Sequence, residues 1–200
     1  KIIAGVFQAT NGEIFYNSQK VNFTKPIEAR NSGIEVVYQD LALCDNLTAA
    51  GNIFLSKELF KKIFFVSFLD YKKMNNISQN LFNELKSETR PKDEVKLMSG
   101  GQRQAVAIAR TKLTNAKIVL MDEPTASISV RQVAEVLDYI RQLRDQGIAI
   151  ILISHRMPDV FDVSDRIVVL RRGSKVADKK ITDSSPEEVT ALITGALKSA

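Results

Sequence analysis

Between residues 97 and 154 the hydrophobic period switches twice from helix to strand, and that alternation restricts the fold more than any other feature of the chain. RQAVAIARTKLT (103–114) repeats apolar residues at helical spacing, and KIVLMD (117–122) is a short apolar run of strand length. Val130, Val133, Val136, Leu137, Ile140 and Leu143 then mark a long amphipathic helix stopped at Gly147, and IAIILIS (148–154) reads as a fully buried strand. Strands separated by helices pair through crossovers, so the fold class is α/β, a mainly parallel sheet flanked by helices on both faces. In such sheets ligands collect at the carboxyl ends of the strands. Asp122 and Glu123 stand together at one of these ends, where an acid pair is suited to face a cation.

The rest of the chain fills in around this unit. KIIAG (1–5) reads as the last turn of a helix closed by Gly5 in the left-handed conformation. TNGEIFYNSQKVNF (10–23) reads as turn, strand, turn, strand, with Asn11-Gly12 as the turn signal, and GIEVVYQ (33–39) as a buried strand ending near Gln39. From Cys44 onward the pattern is helical, with Asp70 as the N-cap of a helix carrying Tyr71, Met74, Ile77, Leu81 and Leu85. KSETRPKDEVK (86–96) is a charged linker. RIVVLRRGSKVADKK (166–180) reads as strand, glycine turn and strand, and SPEEVTALITGAL (185–197) as a helix capped by Ser185. These boundaries divide the chain into 1–43, the first part of a core; 44–96, a helical subdomain and linker; and 97–200, the remainder of the core.

Composition excludes several classes. A hydrophobic fraction of 44% and a charged fraction of 26% are those of an ordinary globular chain. The net charge of +5 is spread along the sequence among acids, which indicates a solvated surface and no nucleic-acid partner. One cysteine, Cys44, allows neither an internal disulfide nor a cysteine metal cage. No apolar run approaches the ~20 residues of a bilayer-spanning helix.

LMSGGQRQAVAIAR (97–110) is the most specific stretch. Ser99, Gly100 and Gly101 lead straight into a helix, where exposed N–H groups and the helix dipole favour an anion. An ordinary serine-capped helix would have the same five residues. The order decides between them: SGGQ, then RQAVAIAR, then IVLMDEP resembles the ATP-binding cassette (ABC) ATPases, in which the first stretch is the signature motif and the last the Walker B strand. VVYQD (36–40) resembles that family's Q-loop, IILISHR (150–156) its switch region, and TASISV (125–130) its D-loop, with Ser129 where many members have an aspartate. EARNSGIEVVYQDLALCDNLTAAGNIFL (28–55) is similar to carbohydrate-uptake members of the ribose and fructose type.

The resemblance implies a P-loop NTPase-like fold with a helical insertion, and a site for ATP and Mg²⁺. It implies that Asp122 and Gln39 serve the metal, and that Glu123, Gln39 and His155 serve catalysis. Ser99, Gly100, Gly101 and Gln102 would hold nucleotide gripped by a second cassette in a head-to-tail dimer. The implied partners are transmembrane permease subunits and, indirectly, a substrate-binding protein, with the chain cytoplasmic and peripheral on the inner face of the membrane. The phosphate loop G-x-x-x-x-G-K-[ST] does not occur in the sequence: GGQRQAV (100–106) and TGALKSA (194–200) both fail as versions of it. The loop and the first strands are therefore expected upstream of Lys1, and the 200-residue chain alone is expected to hydrolyse ATP poorly or not at all. Two other readings stay open at this stage, a soluble ABC ATPase of DNA repair or translation and a non-enzymatic module offering only its signature face.

Overall fold

A computed structural model describes residues 1–126 and 128–197. The chain divides into two units, Lys1–Ile151 and a second from Leu152 onward. In chain order the elements are β1 Ile14–Tyr16, β2 Gln19–Val21, α1 Pro26–Asn31, β3 Ile34–Val37, α2 Ala49–Ile53, β4 Phe60–Ile63, β5 Val66–Leu69, α3 Tyr71–Glu84, α4 Gly100–Leu113, β6 Ile118–Asp122, α5 Val130–Asp145, β7 Ala149–Ile153, α6 Met157–Val163, β8 Arg166–Arg171, β9 Ser174–Lys180 and α7 Pro186–Thr194.

The first unit is organised by the sheet β3-β6-β7, in which β3 and β6 pair in parallel from Ile34↔Ile118 to Val37↔Met121. Alternation along the strands separates two faces. Ile34 and Leu120 pack on Ala29 of α1 with Phe23 and Ala4, while Val37, Val119 and Met121 are sealed on the opposite face. Helix α4 packs against β3, α2, α3 and α5, and its segment Ala105–Ala109 is wholly inaccessible to solvent. The parallel sheet between helices is thus as the sequence indicates. β7 is different: instead of being fully buried it leaves Ile151 and Ile153 43% and 48% exposed. Among the described residues its strand neighbour is β6.

The hairpin β1–β2 follows the expected order of turn, strand, turn, strand, and its connecting turn falls at Asn17 and Ser18, with φ of 50° and 62°. Residues 44–96 hold α3, capped by the Asp70 carboxylate, but also an antiparallel hairpin β4–β5 where a helical pattern was expected. Its turn at Phe64 and Phe65 contains none of the residues that announce turns.

Residues 1–4 form a turn rather than a regular helix, yet its closure is helical in kind. The Gly5 N–H donates to Ile2 O and the Val6 N–H to Lys1 O, both at 3.0 Å, with Gly5 at φ +68°. A Cβ at Gly5 would lie 2.5 Å from the Lys25 carbonyl oxygen. Gly5→Ala is therefore expected to cost about 2 kcal/mol, read as a melting temperature lower by roughly 4–8 °C. An unchanged melting temperature would show that this close approach is not kept in solution.

In the second unit, β8 and β9 pair antiparallel across the turn at Arg172-Gly173. Val160, Ile167, Val169, Val189 and Leu192 form its core. Ser185 caps α7, accepting from the Glu188 N–H, with Pro186 in the first turn as anticipated. Arg166 grips the Asp178 carboxylate with two bonds of 2.6 and 2.8 Å, and together with Lys175 it holds that carboxyl down at about 2. The end of TGALKSA, residues 198–200, lies outside the described residues.

Candidate functional site

Because β3 and β6 run parallel with Val37 opposite Met121, their carboxyl ends lie at one edge of the sheet. Gln39 follows β3 by two residues, Asp122 ends β6 and Glu123 comes directly after it. Asp122 and Glu123 are half-buried and Gln39 is exposed. The backbone at Glu123 is left-handed, with φ 50°. Strand geometry would send two consecutive carboxylates to opposite faces, and the left-handed step ends that alternation. A non-glycine residue in this region is strained, and such strain concentrates at functional sites. The turn is closed by the Ala126 N–H donating to Glu123 O at 3.1 Å, beside the buried Thr125. His155 belongs to the second unit, two residues beyond β7, and is exposed.

The loop carrying Gln39 is held from a helix far away in sequence. Leu41 and Ala42 both adopt left-handed backbone, with φ of 60° and 46°. Arg110, near the end of α4, donates to the Ala42 carbonyl at 3.1 Å and to the Leu41 carbonyl at 3.2 Å. Burial lowers the Arg110 guanidinium from its ordinary value, against the opposing pull of Glu35. Glu35 is buried in β3, with Arg30 at 3.4 Å and Lys57 at 3.8 Å. Burial likewise lowers the Lys57 ammonium, and Glu35 partly restores it. Arg110→Ala leaves two carbonyls without their charged donor. It is expected to cost about 2 kcal/mol and to speed amide hydrogen exchange in residues 38–42 selectively. Exchange that rises uniformly across the first unit would argue against a local anchor.

Asn52 secures the next segment. Its amide is inaccessible to solvent, accepts from the Cys44 N–H at 2.7 Å, and donates to Cys44 O at 3.0 Å and Thr48 O at 3.1 Å. Arg103 of α4 adds an ion pair to Asp45 at 2.8 Å. Arg110 and Asn52 escape a sequence reading. An arginine late in a helix and an asparagine in an apolar run have no local signature, and their partners are set by the fold.

At the start of α4, Ser99 and Gln102 form a reciprocal capping box. The Gln102 N–H donates to Ser99 Oγ at 3.3 Å, and the Ser99 N–H to Gln102 Oε1 at 3.0 Å. Ser129 and Gln132 repeat the arrangement at the start of α5. The two starts touch. A Cβ on Gly100 would lie 2.8 Å from Ile128, and one on Gly101 would lie 2.8 Å from Glu135 and 3.2 Å from Gln132. The sequence suggests that these glycines admit an anion; the structure adds that they admit helix α5. A polar cavity of about 430 Å³ lies alongside, lined in part by Ser99, Gln102, Ser129 and Gln132. Ser127, inside the stretch TASISV, lies outside the described residues. Among the described residues no three or more His, Cys, Asp and Glu side chains cluster as a metal cage.

The profile described as "ABC transporter" matches residues 1–126. The chain belongs to the ABC transporter family. Several curated ABC relatives align over almost all of it. The xylose/arabinose import ATP-binding protein XylG of Sulfolobus acidocaldarius is 42% identical over 197 residues, covering 97% of this chain and 76% of that protein. The fructose import ATP-binding protein FrcA of Rhizobium meliloti is 39% identical, covering 98% and 77%. Against the ribose import ATP-binding protein RbsA of Geobacillus kaustophilus identity is 34%, and the chain spans 39% of that relative's length. The fold agrees with solved ABC cassettes. A nucleotide-free cassette superposes with a TM-score of 0.78 at 20% identity, covering 96% of this chain and 77% of that one. A dimeric cassette bound to ADP and Pi gives 0.70 at 22% identity, with 90% and 78% covered.

Proposed function

We propose that this chain belongs to the ATP-hydrolysing subunit of an ABC importer for a sugar. The observation that carries the reading is the placement of Gln39, Asp122 and Glu123 at one edge of the parallel sheet, in a chain whose named relatives are sugar-import ATP-binding proteins. In this reading Asp122 and Gln39 would hold magnesium. Magnesium, once bound with ATP, supplies neutralisation of charge on the β- and γ-phosphates. Glu123 orients water for attack on the γ-phosphorus: a P–O bond forms to water, the bond to the β-phosphate oxygen breaks, and a proton passes toward the carboxylate. His155 contacts the γ-phosphate.

Ser99, Gly100, Gly101 and Gln102 bind nucleotide held by a second cassette. The capping box supports this role: it fixes the start of α4 and leaves the Ser99 hydroxyl hydrogen available to donate. Closure of the head-to-tail pair passes to transmembrane permease subunits through a groove near the helical insertion, and a substrate-binding protein acts on the far side of those subunits. The subunit is then cytoplasmic and peripheral, in keeping with the finding that no helix among the described residues is long and apolar enough to cross a membrane.

Uptake and turnover test the proposal together. Cells lacking the gene are expected to lose uptake of one pentose or hexose, and the full-length protein is expected to copurify with a polytopic membrane protein and to hydrolyse Mg-ATP. Normal uptake of every sugar tried, or copurification with DNA or ribosomes in place of a permease, would overturn it.

A further inference from the structure

The hairpin β4–β5 has no role in the site. Its strand residues are exposed on both faces, apart from the partly covered Leu69. At its tip Phe64 and Phe65 are 92% and 102% exposed, and Phe60, Ile63, Val66 and Phe68 add further uncovered apolar surface. Isolated apolar residues on a surface are ordinary, but six on one ten-residue hairpin are not. The surrounding charge is one-sided. Residues 56–73 contain five lysines against two acids; Lys57 pairs with Glu35, while Lys61, Lys62, Lys72 and Lys73 are exposed. Both acids serve the backbone: Glu58 accepts from the Ser56 N–H and Asp70 from the Lys73 N–H.

We propose that this hairpin docks on an anionic phospholipid surface. The phenylalanines enter the boundary between headgroups and acyl chains, and the lysines remain among the headgroup phosphates. Aromatic rings flanked by lysines match both parts of such a surface, the apolar interior and the negative rim. A protein socket for the two rings would have to supply the matching acids itself. One short tip gives marginal, reversible binding, suited to a second point of attachment for a subunit held mainly by its permease. The attachment to a permease rests on the proposed function; the lipid contact itself is independent of the sugar and of the catalytic roles.

The test is flotation of the full-length protein with vesicles of phosphatidylglycerol and, separately, of phosphatidylcholine, without nucleotide. Phosphatidylglycerol vesicles are expected to carry the protein up at low salt and to lose it at high salt. Phe64→Ser with Phe65→Ser, and independently Lys61→Glu with Lys62→Glu, are expected to weaken binding about tenfold or more. These side chains are exposed, so the melting temperature is expected to hold and ATP turnover in solution to be unaffected. Equal binding to the two lipids, or binding that both variants retain, would overturn the proposal. So would loss of self-association, or of permease copurification in detergent, in the phenylalanine variant of a protein that binds no vesicles. Either result would assign the hairpin to a protein contact.

Discussion

Glu123→Gln is expected to lower ATP turnover by about two to four orders of magnitude while nucleotide binding persists. The substitution preserves size and removes the negative charge that would accept a proton from water. Glutamine is tolerated at the left-handed position about as well as glutamate, since the strain there is a property of the backbone, with φ 50°, and both residues carry the same Cβ. The measurement is phosphate release by the full-length protein at saturating Mg-ATP, beside an equilibrium binding measurement. The expected pattern is lost kcat with intact affinity. Turnover that survives the exchange would remove Glu123 from the chemistry. Lost affinity without lost kcat would give the residue a binding role instead. Asp122→Asn is the natural companion, expected to show first as a raised magnesium requirement.

Asn52→Ala is expected to be the most damaging of the structural changes. Four groups depend on that side chain: the Cys44 N–H and the carbonyls of Cys44, Leu47 and Thr48, the Leu47 contact being the longest at 3.5 Å. All are served from a position with no solvent exposure, so an alanine leaves donors and acceptors without water to replace the amide. A cost of about 3 kcal/mol, or a melting temperature lower by roughly 6–12 °C, follows from the loss of several bonds at once. Asn52→Asp keeps the bond to the Cys44 N–H, loses the donors and buries a charge, so it is expected to be no milder. A melting temperature within a degree or two of the parent would mean that the segment from Cys44 to Thr48 finds other partners.

Sequence and structure agree where the signal is local. The helices after Ser99 and Ser129 and the one after Asp70 begin where a short polar side chain caps them, and β6 ends where its apolar run ends. Disagreement begins where a feature depends on distant residues. The turn of β4–β5 passes through Phe64 at φ 55°, a conformation its side chain does not favour. Arg110 meets a carbonyl 69 positions earlier in the chain. The left-handed step at Glu123 is also invisible in DEP, although the acid pair itself stands out at once.

The contact of Gly100 and Gly101 with Ile128, Gln132 and Glu135 has a mechanical meaning. With no side chain on those two glycines, the side chains of Ile128, Gln132 and Glu135 rest directly on the first turn of α4, and close-packed surfaces transmit displacement. The capped start of each helix is therefore felt by the other: a larger residue at either glycine would have to displace these side chains.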